Sequence, residues 1–362
     1  MPKRVFITGG GTGGHIYPAI AIYDELLKFL PREDIFYVGN KKNLEKRIAA
    51  QHNMNFLSVC VSGMPRKFTF KFISWVFKLF ISLFVSIYYV LRYRPTFIVG
   101  TGGYVAFPVL AAGILLGVPC YIHDSDAYPG IVSRALAPFA KCVFLAFDDA
   151  KNRLRAKKVI INGNPLRDFS SGISREEAFT QLGLDSSKKT LFVMGGSQGA
   201  KTINAAILAI SKELTEKHNL QIIHQSGAKN FDLAQSLMPE ALGGYILRPY
   251  FDEMSVPYAA SDFVVARAGS ISLSEINNCG LPSILVPYPH AAANHQFHNA
   301  KAMEKQGSAV VLEDKDCTPE ALLSVILSLL QDEEKFAQMA ENSKKLAKFN
   351  STQNLVKILL GD

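Results

Sequence analysis

Arg4-Val-Phe-Ile-Thr-Gly-Gly-Gly-Thr-Gly-Gly-His15 and Thr190-Leu-Phe-Val-Met-Gly-Gly-Ser-Gln-Gly-Ala200 decide the fold. Each is a short apolar run that passes straight into glycines and then into a segment of helix length. Around the first stretch, further apolar, β-branched runs stand near 35–39, 56–60, 97–100, 119–123, 142–145 and 158–161. Around the second they recur near 220–225, 245–248, 262–265, 283–286 and 308–311. Strand-length runs alternating with helix-length segments mark parallel α/β sheets. The restart at 190 predicts two such sheets, each doubly wound, with ligands at the carboxyl ends of the strands in a cleft between two domains.

A chain of 362 residues is long for a single core, which agrees with two domains. The boundary is expected at Gly163-Asn-Pro165, where an apolar strand runs into turn residues. The expected domains are 1–163 and 164–344. A last helix, about 345–362, is expected to return to the first domain through Leu355, Ile358 and Leu359, which share one face.

Composition narrows the function classes. With 48% hydrophobic and 19% charged residues the chain has ample core and is not a disordered polymer. The net charge of +8 favours anionic partners. Nucleic acid is not expected among them, because there is no basic tail, zinc-finger spacing or RNA-binding aromatic signature. Cysteines 60, 120, 142, 279 and 317 form no C-x-x-C pair and mostly lie in apolar runs, which predicts reduced, buried thiols. The first glycines arrive before any apolar run of signal-peptide length, so no signal peptide is expected.

The glycine loops carry the first chemistry. Glycines let the backbone approach an oxyanion at a helix N-terminus, so Thr12, Gly13 and Gly14 in the first loop, and Ser197, Gln198 and Gly199 in the second, are candidate diphosphate contacts. Gly9-x-Gly11-x-x-Gly14 formally fits a dinucleotide fingerprint, yet the second strand ends Val38-Gly-Asn40 without the carboxylate that NAD needs. A tight turn without any ligand is the alternative for a single loop. Two loops fit an enzyme with a diphosphate donor and a second ligand.

Gly9–Pro18, Gly102-Gly-Tyr-Val105, Gly163-Asn-Pro-Leu-Arg167, Gly195-Gly-Ser-Gln-Gly199 and Arg267–Glu275 occur in this order and span nearly the whole chain. As an ordered set they closely resemble the MurG family, which transfers N-acetylglucosamine from UDP-GlcNAc to undecaprenyl-diphosphate-MurNAc-pentapeptide. The resemblance implies a GT-B fold with two Rossmann-like domains, the first binding acceptor and membrane and the second binding the UDP-sugar. It places Arg167 and Ser197 at the donor diphosphate, the backbone of Phe251 at the uracil, Ser270-Ile271-Ser272-Leu273-Ser274 at the donor turn, Glu275 at the ribose hydroxyls and Gln296 at the sugar. Gly102, Gly103, Tyr104 and Asp124 fall on the acceptor side. Each has a plainer alternative: Arg167 as a surface residue at a hinge, Ser197 as a helix cap, and Ser272-x-x-Glu275 as a capping box.

Two segments depart from the family pattern. Ala291-Ala-Ala-Asn-His-Gln296 lacks the charged residues often found before that glutamine, and His123-Asp-Ser-Asp126 stands where His-Glu-Gln-Asn is common. Asp124 and Asp126 still offer acceptors to the acceptor sugar or to the donor's acetamide. The family reaction is an inverting displacement by the acceptor's C4 hydroxyl, which needs a base and a sink for the diphosphate charge. His15 is the candidate base, with Asp126 and Glu275 as the other choices. No protein-bound metal or cofactor is expected, since helix N-termini and Arg167 are able to carry the charge.

Residues 66–94 hold Arg66, Lys67, Lys71, Lys78, Arg92 and Arg94 and no acid. Phe72–Leu91 is almost long enough to span a bilayer. It lies between strands of one sheet, so an in-plane amphipathic element is expected instead. Phe68, Phe72, Trp75 and Phe80 would enter lipid, with Lys71 and Lys78 on anionic head groups. The expected partners are therefore UDP-GlcNAc, a polyprenyl-diphosphate-linked acceptor and an anionic membrane surface, met peripherally at the cytoplasmic face of the cell membrane. A UDP-sugar:diacylglycerol glycosyltransferase, a nucleotide-sugar epimerase, an NADP-dependent reductase and a non-catalytic UDP-sugar sensor stand as alternatives.

Overall fold

The computed structural model describes residues 3–41, 44–65, 70–166, 172–196, 199–238 and 242–361, the side chain of Lys71 aside. The chain divides into two compact units, Met1–Arg167 with Asn350–Asp362, and Asp168–Phe349. Every strand expected from the sequence forms. Unit 1 holds β1 (Val5–Thr8), β2 (Ile35–Asn40), β3 (Asn55–Val59), β4 (Phe97–Gly100), β5 (Cys120–Asp124), β6 (Cys142–Leu145) and β7 (Val159–Ile161). Unit 2 holds β8 (Thr190–Met194), β9 (Gln221–Gln225), β10 (Tyr245–Arg248), β11 (Phe263–Ala266), β12 (Ser283–Leu285) and β13 (Ala309–Val311).

The sheet orders are β3-β2-β1-β4-β5-β6-β7 and β10-β9-β8-β11-β12-β13. All pairings are parallel. Parallel strands buried on both faces read as unbroken apolar runs, and β1, β6, β8 and β11 are buried throughout. In each sheet the order reverses beside the strand that enters the glycines, between β1 and β4 and between β8 and β11. That reversal is the usual ligand position of a doubly wound sheet.

One apolar cluster joins the helix Gly13–Leu26 to the sheet and to the last helix, Ser351–Leu360, through Ile16, Ile20, Tyr23, Leu355, Val356 and Leu359. Asn162 donates to the Ser351 carbonyl at 2.8 Å, and Thr352 Oγ1 donates to the Leu166 carbonyl at 2.7 Å, so side chains at both ends of the long connection tie that helix to unit 1. Ile358 packs at the edge of the cluster. Cys120, Cys142 and Cys317 are buried and Cys279 is half-buried. Cys60 is exposed, which differs from the expectation, because it follows the end of an edge strand.

The helix Phe70–Tyr93 links β3 to β4 and so lies along one sheet. Its inner face sets Ser82, Ser86 and Val90 against the body, with Leu79, Leu83 and Tyr93 packed on the core. Trp75 donates to the Ser62 carbonyl at 2.9 Å, and Tyr89 donates to that of Ser58 at 3.1 Å. Its outer face carries Phe70, Ile73, Phe77, Phe80, Ile81, Phe84, Tyr88 and Leu91, all exposed, at three- and four-residue spacing. Phe72 and Trp75, expected on that face, are half-buried and pack on each other with ring centroids 5.4 Å apart. Lys78 is exposed, and Phe68 lies outside the described residues. By length and composition this helix is able to cross a membrane. It packs along the sheet whose strands β3 and β4 it connects.

Candidate active site

The first glycine loop of unit 1 is braced from all sides. Tyr37 OH donates to the Gly9 carbonyl at 2.6 Å, and the Gly10 N–H donates to the Gly102 carbonyl at 3.3 Å. The Gly11 N–H donates to Glu45 Oε1 at 2.8 Å, and Thr101 Oγ1 donates to the His15 carbonyl at 2.6 Å. A Cβ on Gly103, which has φ +78°, would lie 1.9 Å from the Gly10 carbonyl oxygen, so only glycine lets these turns meet. Tyr104 lies against Gly11, whose added Cβ would fall 2.8 Å from Tyr104 Cε1.

Gly10 and Gly11 thus spend their amides on the Gly102 carbonyl and on Glu45. Gly13 and Gly14 open the helix that begins there, where the first-turn amides have no intrahelical acceptor. Thr12 is its N-cap and makes no side-chain capping bond. His15 belongs to this helix and not to the loop, and its ring packs on the Gly102-Gly103 turn. It is half-buried.

His123 and Asp124 end β5 beside it. His123 is fully buried, and its Nε2 lies 3.3 Å from the Gly163 carbonyl, so that nitrogen carries the proton. Burial pulls its pKa down to about 4, with His15 nearby acting in the same direction. His123 is therefore neutral at pH 7. Asp124 accepts the N–H of Asp126 at 3.2 Å and that of Gly130 at 3.0 Å. Burial, then the charge of Asp126, pushes its carboxyl up to about 6. Asp124 braces its own loop, whereas the half-buried Asp126 is the carboxylate of this pair that reaches the surface. Among the described residues no group of three His, Cys, Asp or Glu is placed to hold a metal ion.

Unit 2 repeats the device around β8. Gly199, at φ +74°, sits so close to the next strand's loop that a Cβ would fall 2.0 Å from the Ser226 carbonyl oxygen. Ser197, Gln198 and Arg167 lie outside the described residues. The Phe251 N–H donates to Oε1 of buried Gln225 at 3.0 Å, and its ring meets Phe192 edge-on at 6.2 Å. Behind Gln225, His224 is held between Tyr245 OH at 2.8 Å and Asn204 at 3.0 Å, a polar support inside the sheet.

The helix Ser270–Asn278 starts after Gly269, which is its N-cap and offers no side chain. The Ser272-x-x-Glu275 capping box does not form, because Ser272 lies inside the helix. Glu275 instead accepts Tyr258 OH at 3.1 Å, and burial lifts its pKa to about 7. Ser274 Oγ donates to the Ser270 carbonyl at 3.1 Å, and Ile271 is half-buried. Leu273 is wholly buried, which limits its role at a donor turn to its backbone.

Arg267 organises the neighbouring turn. It donates to the Val286 carbonyl at 3.0 Å, pairs with Asp314 at 2.5 Å and lies 5.6 Å from the Tyr288 ring centre. Tyr288 N–H in turn donates to Gln296 Oε1 at 3.0 Å, which leaves the Gln296 amide NH2 to meet hydroxyls. Asn299 donates to the Ala268 carbonyl at 3.1 Å. Sequence reading missed Glu45, Thr101, Gln225, Tyr258 and Asp314 in these sites. Each acts across a long sequence separation, and none stands in a local motif.

Residues 5–145 match the Glycosyltransferase family 28 N-terminal domain, and residues 190–355 match the C-terminal domain of that family. A UDP-N-acetylglucosamine--N-acetylmuramyl-(pentapeptide) pyrophosphoryl-undecaprenol N-acetylglucosamine transferase of Halothermothrix orenii is 38% identical, over 99% of this chain and 98% of its own. The transferase of the same name from Desulforamulus reducens is 37% identical over 98% and 97%. The crystal structure of Acinetobacter baumannii MurG superposes with a TM-score of 0.81 at 26% identity, covering 100% of both chains. The fold, the order of the motifs and this likeness along the full length agree: the chain belongs to the MurG family of glycosyltransferases.

Proposed function

We propose that this chain transfers N-acetylglucosamine from UDP-GlcNAc to the C4 hydroxyl of MurNAc in undecaprenyl-diphosphate-MurNAc-pentapeptide, with inversion, at the cytoplasmic face of the cell membrane. The observation that carries this reading is the carboxyl of Glu275 in unit 2, linked through Tyr258 OH to Met194, where β8 enters the second glycine turn. Glu275 would accept the ribose hydroxyls, the first turns after Gly199 and Gly269 would take up diphosphate charge, and the Gln296 amide would read the sugar. Arg167, Ser197, Gln198 and the Phe251 backbone complete the donor set. In unit 1, His15 would remove the acceptor proton, with Gly102, Gly103 and Tyr104 around the acceptor, and Thr12, Gly13, Gly14 and Asp126 would add to the donor contacts. Departure of UDP is stabilised by backbone dipoles and Arg167, and no step needs a bound metal.

The glycolipid alternative differs in its acceptor. Offered UDP-GlcNAc with either the MurNAc-diphosphate polyprenol or diacylglycerol, the protein is expected to release UDP only with the first. Turnover with diacylglycerol would reverse that choice.

The exposed apolar stripe of Phe70–Tyr93, flanked by Lys78, Arg92 and Arg94, supports peripheral membrane binding. Sedimentation with anionic vesicles should exceed that with neutral ones and should fall as salt rises. Burying a phenylalanine ring is worth about 1.5–3 kcal/mol, so the double variant Phe77→Ser, Phe84→Ser should lower vesicle affinity by tenfold or more while UDP binding holds. Equal binding to both vesicle types would contradict the membrane role.

A further inference from the structure

Glu45 stands beneath the first glycine loop with its side chain almost wholly buried. It belongs to the first turn of the helix Leu44–Gln51, where the helix dipole favours a negative charge. One oxygen, Oε1, accepts the Gly11 N–H at 2.8 Å. The same carboxylate occupies the space over Gly10, where an added Cβ would lie 2.0 Å from Oε1, and its Cβ lies 3.1 Å from the Cβ position of Gly39. The other oxygen, Oε2, is buried and has no hydrogen-bond partner among the described residues.

What the carboxylate does is hold a loop. Gly11 is fixed to Glu45, Gly10 to the Gly102 carbonyl, and the Gly102-Gly103 turn is the surface against which the His15 ring rests. The contacts run unbroken from Glu45 through the arm Gly9–Gly11 to the start of the Gly13–Leu26 helix.

We propose that Glu45 is a positioning residue for the transfer reaction. It fixes the arm Gly9–Gly11, and through it the placement of His15 and of the Gly13 and Gly14 amides, without touching substrate. The inference rests on the transferase reading above and adds to it a residue 34 positions away in sequence from the loop it holds.

The test compares Glu45→Ala with Glu45→Gln in the full chain. Alanine leaves the Gly11 N–H without its acceptor and opens a space below the loop. Glutamine keeps an acceptor oxygen at nearly the same reach. A displacement of about 1 Å at a reacting group costs up to about 100-fold in rate, so E45A should lower turnover with the polyprenyl acceptor by roughly 10- to 100-fold. The KM for UDP-GlcNAc and the affinity for UDP should stay within about twofold, because unit 2, which carries most of the donor set, is untouched. E45Q should recover turnover to within about threefold of the unsubstituted protein.

Amide hydrogen exchange gives an independent reading: residues 9–15 should lose protection in E45A and regain it in E45Q. Turnover of E45A within threefold of the unsubstituted protein would overturn the proposal. So would a parallel loss of UDP affinity, which marks a merely structural role, or unchanged exchange at residues 9–15. An unsubstituted protein that releases no UDP on addition of the acceptor would be a failure of the transferase reading itself, visible before any variant is compared. The exchange result would still decide whether Glu45 holds the loop.

Discussion

His15→Ala is expected to lower turnover by about 100- to 10,000-fold, the range of a lost general base, while UDP affinity stays within about twofold. The acceptor hydroxyl must lose a proton as it attacks, and a neutral imidazole is suited to take it near pH 7. His15 is fixed in two ways: its carbonyl is held by Thr101 Oγ1, and its ring rests on the Gly102-Gly103 turn. His123 is a poorer base, since burial pulls its pKa down to about 4 and its Nε2 is committed to the Gly163 carbonyl. Asp124 is committed to the N–H groups of Asp126 and Gly130. The check is steady-state turnover alongside UDP titration. Turnover near that of the unsubstituted protein would move the base to Asp126 or Glu275. A matching loss of UDP affinity would indicate damage beyond unit 1.

Glu275→Gln is expected to raise stability at pH 8 and to weaken donor binding at the same time. Burial lifts this carboxyl from 4.5 to about 7 in the folded protein. Between those values the folded state keeps a proton that the unfolded chain has released. The associated stability is fully present below about pH 4.5 and is lost as pH rises through about 7. A shift of that size corresponds to a few kcal/mol, and Gln never ionises, so E275Q should exceed the unsubstituted protein by about 1–3 kcal/mol at pH 8 and match it near pH 4. Gln also keeps an oxygen for Tyr258 OH. A charged acceptor on the ribose hydroxyls is worth about 1.5–3 kcal/mol, so UDP-GlcNAc affinity should fall roughly 10- to 100-fold in E275Q. In the unsubstituted protein that affinity should rise with pH through about 7, and in the variant it should be flat. Calorimetric melting and donor titration at pH 5, 7 and 8 check both arms. A variant no stabler at pH 8 would contradict the raised carboxyl, and one that binds donor as well as before would remove Glu275 from the ribose.

The strands were legible because a strand buried on both faces needs an apolar run such as Phe263–Ala266 and nothing else. The glycine turns were legible because Gly103 and Gly199 serve close approaches that other residues would block. The return of the last helix followed from the shared face of Leu355 and Leu359. What stayed hidden depends on partners distant in sequence. Ser272 and Glu275 have the spacing of a capping box, yet the helix starts after Gly269, and Glu275 turns to Tyr258. Nothing local in Lys41–Arg47 announces that Glu45 holds Gly11, nor in Glu313–Asp316 that Asp314 pairs with Arg267. Asp124 reads as a ligand acceptor until its loop is seen to fold back onto it. Phe72 and Trp75 read as lipid-facing until the helix is laid on the sheet, when the exposed set becomes Phe77, Phe80 and Phe84.

The most direct test is to incubate the purified protein with UDP-GlcNAc, with and without the MurNAc-diphosphate polyprenol acceptor, following UDP release and the mass and anomeric configuration of the lipid product. The account predicts release that depends on the acceptor and a product heavier by one N-acetylhexosamine in β linkage. Donor binding without acceptor-dependent release, or an α-linked product, would contradict it.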